Sequence, residues 1–147
     1  MTRQQKTVSR ILELKELTTE QREAEVRKTA ERLAAEEGKL TALEQEYQRS
    51  SDDFAAKQAT GSLPVARLEL FYTYLKHLGK QIDLQKKEIA LRTAEHEQAR
   101  LAMLEAYKEQ RVLEKLQDKL EGERRKVADK SEQKEADFQY LTRNDKA

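Results

Sequence analysis

The side chains of this sequence that could carry out chemistry do not form a recognisable constellation. His77 and His96 are the only histidines, and about five helical turns separate them, so they cannot share a site on one helix. We expect His96 to pack at a helix interface. The carboxylates alternate with Lys and Arg, which is typical of a solvated helix face. The four glycines are isolated and form no phosphate-binding loop. The sequence therefore predicts no enzyme, metal site or cofactor.

The composition is that of long helices and not of a thick globular core. Of the 147 residues, 39% are charged and 5% aromatic, with four glycines and one proline. The net charge is +1 with both signs interspersed, which predicts no broad cationic face for nucleic acid. The absence of cysteine fits a reducing compartment, and no apolar run reaches the length of a membrane span. We expect a soluble, cytoplasmic protein.

An unbroken heptad repeat dominates the second half of the chain. In steps of three and four it runs through Leu68, Phe71, Leu75, Leu78, Ile82, Gln85 and Ile89, and continues in the same register to Val127, Phe138 and Leu141. This is the period that holds one stripe of a helix against a partner helix. At 1.5 Å per residue the helix would be about 110 Å long, which predicts an elongated rod.

The first half predicts a second amphipathic helix joined to the other by a short turn. Its seam rows run from Val8 and Leu12 to Ser50 and Phe54, and either Thr2 or Thr7 could cap it. Around Gly61 and Pro64 lies the strongest turn signal, with Ser62 as the cap of the next helix. We predict one domain, residues 1–147, with helices at about 3–58 and 64–141 and a turn at about 59–63. The fold class is all-α, a two-helix antiparallel coiled-coil hairpin.

Folding the chain at Gly61 places the two seams in register. Phe54 would face Leu68, Leu40 would face Ile82, and the polar seam positions of both helices would meet near His96. The second helix would then overhang the first by about 30 Å. Leu120, Val127, Phe138 and Leu141 would continue the apolar stripe with no partner in the chain. An exposed stripe of this kind is either a binding surface or a segment that frays or dimerises.

Two further features suggest contacts with partners. Tyr72 and Tyr74 flank the seam near the turn, and a helix can bury only one face, so an exposed tyrosine there is either ordinary surface or an anchor for a partner. The basic run Arg124, Arg125 and Lys126 is offset by nearby acids, so it is more typical of a solvated face than of an anion site.

Several short motifs, in order around the turn, resemble the FliJ family of bacterial flagellar type III export. They are Glu46-Tyr47-Gln48, the Gly61 turn, the spacing Tyr74, Leu78, Ile82, Gln85, the box Leu113-Glu114-Lys115-Leu116, and the stretch from Glu132 to Asp137. Family members commonly have an acidic residue after the position of Asp137, where this chain has Phe138. The resemblance covers almost the whole chain.

The resemblance implies a non-enzymatic stalk similar to the central stalk of rotary ATPases. It implies contacts with the ring of the export ATPase FliI, with the cytoplasmic domain of the export gate FlhA and with export chaperones. The free protein would be a monomer, and it would associate with the inner membrane only peripherally, through the export apparatus. The motifs suggest these gate-facing residues, several of them also seam positions: Leu40, Leu43, Tyr47, Tyr74, Leu78, Gln81 and Gln85. The unpaired stripe, and not a motif, suggests these ATPase-facing residues: Leu120, Arg124, Arg125, Val127, Phe138 and Leu141.

Two other interpretations stay open at this point. A generic coiled-coil scaffold would self-associate through the overhang, and substitution of the tyrosines near the turn would then have little effect. The equivalent stalk of a virulence injectisome would share the same features.

Overall fold

The computed structural model describes residues 2–61 and 63–145, and it confirms the helical hairpin. Helix α1 spans Arg3–Ala59 and helix α2 spans Val65–Asp145. The two helices pack against each other, and the described residues contain no strand. None of the described helices has a stretch apolar enough to cross a membrane. Helix α2 continues four residues beyond the predicted end at Leu141.

Both ends of α1 have the local structure that their sequences favour. At its start, the Thr2 hydroxyl accepts a hydrogen bond from the Gln5 amide, and Gln5 Oε1 accepts one from the Thr2 amide. This reciprocal pair is a capping box, so Thr2 and not Thr7 is the cap. At its end, Gly61 has a φ of 66°, and its amide donates to the Gln58 carbonyl. Glycine adopts this left-handed conformation without the steric cost of a Cβ.

Pro64 lies directly before α2 and its carbonyl starts the helix. The amides of Arg67 and Leu68 both donate to it, at 3.0 and 3.2 Å. Proline suits this place because its missing N–H would have no partner at a helix start. Ser62, the predicted cap of this helix, lies outside the described residues.

The chain divides into two compact units. The turn unit comprises Arg22–Ala102, and the terminal unit comprises Met1–Gln21 with Met103–Ala147. In the turn unit the most covered seam residues are Thr29, Leu78 and Ala99; in the terminal unit they are Gln5, Val8, Leu12, Thr19 and Ala106. None of the described large side chains is fully buried, since a seam between two helices always has open edges.

The predicted register agrees closely with the observed burial. Every α2 seam position from Leu68 to Leu120 is buried or half-buried, including the polar positions Gln85, Arg92 and His96. From Glu123 onwards all described residues of α2 are exposed. Two predictions were wrong in detail. Arg22 is exposed, although the row in steps of seven from Val8 to Ser50 places it in the α1 seam. Leu120, assigned to the unpaired stripe, is half-buried and shares clefts with Thr2 and Gln5.

Candidate interaction surfaces

In the turn unit, an aromatic cluster lies beside the turn. The Phe54 ring lies 5.4 Å from Phe71 and 5.5 Å from Tyr72 between centroids, and Lys57 Nζ lies 5.4 Å from the Phe71 ring. Aromatic pairs in these tilted and edge-to-face arrangements add stability beyond their buried area. An open cleft of about 330 Å³ adjoins the cluster and is lined by Lys57, Arg67, Leu70, Phe71 and Tyr74. This end of the unit therefore presents apolar surface beside cationic groups.

Tyr74 and Tyr47 are exposed on this unit, and Tyr74 is held by a hydrogen bond. Its hydroxyl donates to Glu46 Oε1 at 3.0 Å. The carboxylate raises the pKa of Tyr74, because it stabilises the protonated hydroxyl. A tyrosine whose position is fixed but whose ring is exposed offers contact area at low entropic cost.

A polar layer crosses the seam between α1 and α2. The side-chain amide of Gln85 donates hydrogen bonds to Glu36 Oε2 at 2.6 Å and to the backbone carbonyl of Glu36 at 2.9 Å. Further along, Thr29 Oγ1 lies 3.0 Å from His96 Nδ1. His96 is half-buried at a helix interface, as the heptad register predicts. Paired polar groups inside a seam favour one register over others.

We expect the stability of the hairpin to depend on pH through one acid of the polar layer, Glu36. The Gln85 hydrogen bond, and then Lys39, lower the pKa of Glu36 below its ordinary value of 4.5. A lowered pKa stabilises the fold above the ordinary value, and that stabilisation is lost as pH falls through the lowered one. We expect the free energy of unfolding to fall less between about pH 5 and about pH 3 in Glu36→Gln than in the wild type. Urea titrations at each pH measure this. Glu37→Gln, at an exposed neighbour, is the control, and an equal change in both variants would contradict the assignment.

In the terminal unit, the end of α2 carries an exposed apolar stripe. Val127, Phe138 and Leu141 are all exposed, with Phe138 at 70%. Arg124 is also exposed, and Arg125 Nε lies 3.7 Å from Glu121 in a weak pair within the helix. The structure thus places five of the six predicted ATPase-facing residues on a helical segment without covered positions. Leu120 lies just before it, against the start of α1.

The family comparison gives a match that covers nearly the whole chain. The model of the flagellar FliJ protein matches residues 5–138. The chain belongs to the FliJ family. It is therefore a protein related to flagellar export, from a family of export components and not of known enzymes. Neither the search of curated proteins nor that of solved structures gave a match.

The FliJ match ends at Phe138, within the exposed stripe. Phe138 stands where the resemblance to FliJ proteins predicted an acidic residue. Its ring is among the most exposed large apolar groups of the chain. Tyr140 and Leu141 follow it beyond the matched residues and are exposed too. Sequence reasoning missed Tyr140, because the heptad row steps from Phe138 to Leu141.

The seven gate-facing residues suggested by the FliJ motifs do not form one accessible face. Leu78 is only 5% exposed. Leu40, Leu43 and Gln81 are half-buried, and the side chain of Gln85 is hydrogen-bonded to Glu36. Only Tyr47 and Tyr74 are exposed. A partner on this side of the hairpin would meet the two tyrosines and the edges of the half-buried side chains, but not Leu78.

A further apolar row on α2 was also missed. Leu70, Leu84 and Leu91 are exposed in the turn unit, and multiples of seven residues separate them. Each stands two positions after a seam residue, so a search for a second heptad row would have found them.

Proposed function

We propose that this FliJ-family chain is a non-enzymatic stalk of the flagellar export apparatus that couples the export ATPase ring to the export gate. The ring contact is assigned to residues 124–145 of α2 and the gate contact to the surface around Tyr47 and Tyr74. The protein would act at the cytoplasmic side of the inner membrane, associating with it only through the apparatus. Handling of export chaperones belongs to the same proposal.

One observation carries the assignment of the ring contact. From Glu123 to Asp145, α2 is helical although none of its side chains is covered. An isolated helix in water is marginal, since most helical stability in proteins comes from packing of an apolar face. This segment nevertheless has Val127, Phe138, Tyr140 and Leu141 exposed. A partner that covers the stripe would supply the missing packing, which supports a binding role for the segment.

Hydrogen–deuterium exchange of the chain, alone and with the export ATPase of the same organism, tests this contact. Alone, the amides of residues 124–145 should exchange fast, because no tertiary packing opposes local opening. With the ATPase we expect slower exchange there and little change around Tyr74. Phe138→Asp with Leu141→Asp should abolish that protection, while Leu84→Asp, at an exposed leucine of the turn unit, should keep it. Protection confined to the turn unit would contradict the assignment.

A scaffold that self-associates through the same stripe is the second candidate, since the stripe would equally suit another copy. Sedimentation equilibrium of the chain separates the two. A monomer supports the stalk, and a dimer that Phe138→Asp dissociates supports the scaffold.

A further inference from the structure

A second exposed apolar patch lies in the terminal unit, apart from the stripe at the end of α2. Its members are Ile11 and Leu14 of α1 with Val112 and Leu116 of α2, and all four are exposed. The ion pair between Lys15 Nζ and Glu109 Oε2, at 2.7 Å, holds the two helices together beside it. In an antiparallel pair, the residue one turn before Lys15 and the residue one turn after Glu109 lie at the same height. Ile11 and Val112 are therefore level with each other beside the ion pair.

The α1 half of this patch continues as an uncharged row. In steps of three and four the row comprises Gln4, Thr7, Ile11, Leu14, Thr18 and Gln21. All six positions are uncharged, in a chain with 39% charged residues. The spacing is that of a helix seam, yet these positions are exposed or, at Thr18, half-buried. The row therefore has the pattern of a surface on which a third helix packs.

Free cations surround the patch. Arg10, Lys108, Lys115 and Lys119 each lie three or four residues from a patch member on the same helix, where side chains are neighbours. None of these four has an ion-pair partner among residues 2–61 and 63–145. The one acidic neighbour at that spacing is Glu109, which Lys15 already neutralises. At this spacing, the charged neighbours of the patch members are therefore mainly cations.

Three acids of α1 in the same unit lie on a face away from the patch. On α1 the acids Glu13, Glu16 and Glu20 are spaced along a face of their own, which is rotated away from Ile11 and Leu14. All three are exposed. These three acids therefore lie away from the patch.

We propose that the patch of Ile11, Leu14, Val112 and Leu116 binds an amphipathic helix of a partner protein whose apolar stripe is flanked by acidic residues. The apolar centre fits a helix that presents side chains at spacings of three and four. The cationic border favours acidic flanks and suppresses basic ones. A second copy is disfavoured, because a two-fold contact through this patch would bring the free cations of both copies together. The proposal is independent of the ring contact.

Fluorescence anisotropy with a labelled model helix tests the proposal. The probe is a designed helix of about four heptads with Leu at its seam positions and Glu at the flanking positions. We expect it to bind the full chain at least about tenfold more tightly than the same helix with Lys in place of Glu. The difference should shrink with added salt, because exposed charges are screened. Equal affinity of the two helices, or no binding of the acidic helix, would overturn the proposal.

Variants of the chain locate the binding. The double variant Leu14→Asp with Val112→Asp should weaken binding of the acidic helix at least about tenfold, since it places negative charge in the apolar centre of the patch. Leu104→Asp is the matched control, because Leu104 is an exposed leucine of the same unit outside the patch. Circular dichroism checks that all variants fold. An equal loss in the control would overturn the assignment, as would a dimer of the wild-type chain that the double variant dissociates.

Discussion

Replacing Leu12 with aspartate is expected to lower the free energy of unfolding by about 3–5 kcal/mol, the cost of an uncompensated charge in a covered position. Leu12 is 6% exposed in the seam of the terminal unit. The described seam has no free cation at this point, because Lys15 already pairs with Glu109. Urea unfolding followed by far-ultraviolet circular dichroism measures the loss.

Leu14 is the matched control for this substitution. It lies two residues further along the same helix, has the same side chain and is 64% exposed. Leu14→Asp should change the free energy of unfolding by no more than about 0.5 kcal/mol, as is usual for surface substitutions. Similar losses in both variants would mean that the register of α1 described above is wrong.

Replacing Leu78 with alanine is expected to cost about 2–4 kcal/mol, from lost apolar burial and the cavity left behind. Leu78 is the most covered large apolar residue of the described turn unit. The same urea titration measures this loss of free energy of unfolding.

Leu84→Ala provides the comparison in the same helix. Leu84 is 58% exposed and belongs to the row that stands two positions after the seam. We expect a change within about 0.5 kcal/mol. If Leu84→Ala destabilised the chain as strongly as Leu78→Ala, the exposed row would have to be covered in solution, and the assignment of α2 faces would fail.

Much of the fold followed from the heptad repeat. Its period fixes which face of each helix is covered, and Gly61 with Pro64 fixes where the chain reverses. The polar side chains of Gln85 and His96 can lie in the seam because polar partners on α1, Glu36 and Thr29, stand opposite them. The end of α2 was underestimated because the apolar row stops at Leu141. Past that point the helix continues to Asp145 although its described side chains there are exposed.

The contact residues were less predictable, because a sequence motif does not separate a seam residue from a surface residue. Tyr74 and Leu78 belong to one motif, yet Tyr74 is exposed and Leu78 is buried. The reason is angular. Four residues advance a helix slightly beyond one turn, which is enough to move a side chain from the flank into the seam. Exposure had to be read from the packed helices.

The charge pattern of the terminal unit could not be predicted from composition either. Interspersed Lys and Glu predict no broad charged face, and the average over the chain supports that view. Helical periodicity nevertheless places Glu13, Glu16 and Glu20 on a face of α1 that is rotated away from Ile11 and Leu14. A pairing such as that of Lys15 with Glu109 decides which charges stay free, and it requires the structure.

The central claim is that the exposed end of α2 acts on the export ATPase. The most direct test is the rate of ATP hydrolysis by that enzyme alone, with the full chain, and with a chain that ends at Glu123. All the described residues that the truncation removes are exposed, so circular dichroism should show that the rest of the hairpin still folds. We predict that the full chain stimulates hydrolysis and that the truncated chain does not. Equal stimulation by both chains would contradict the account.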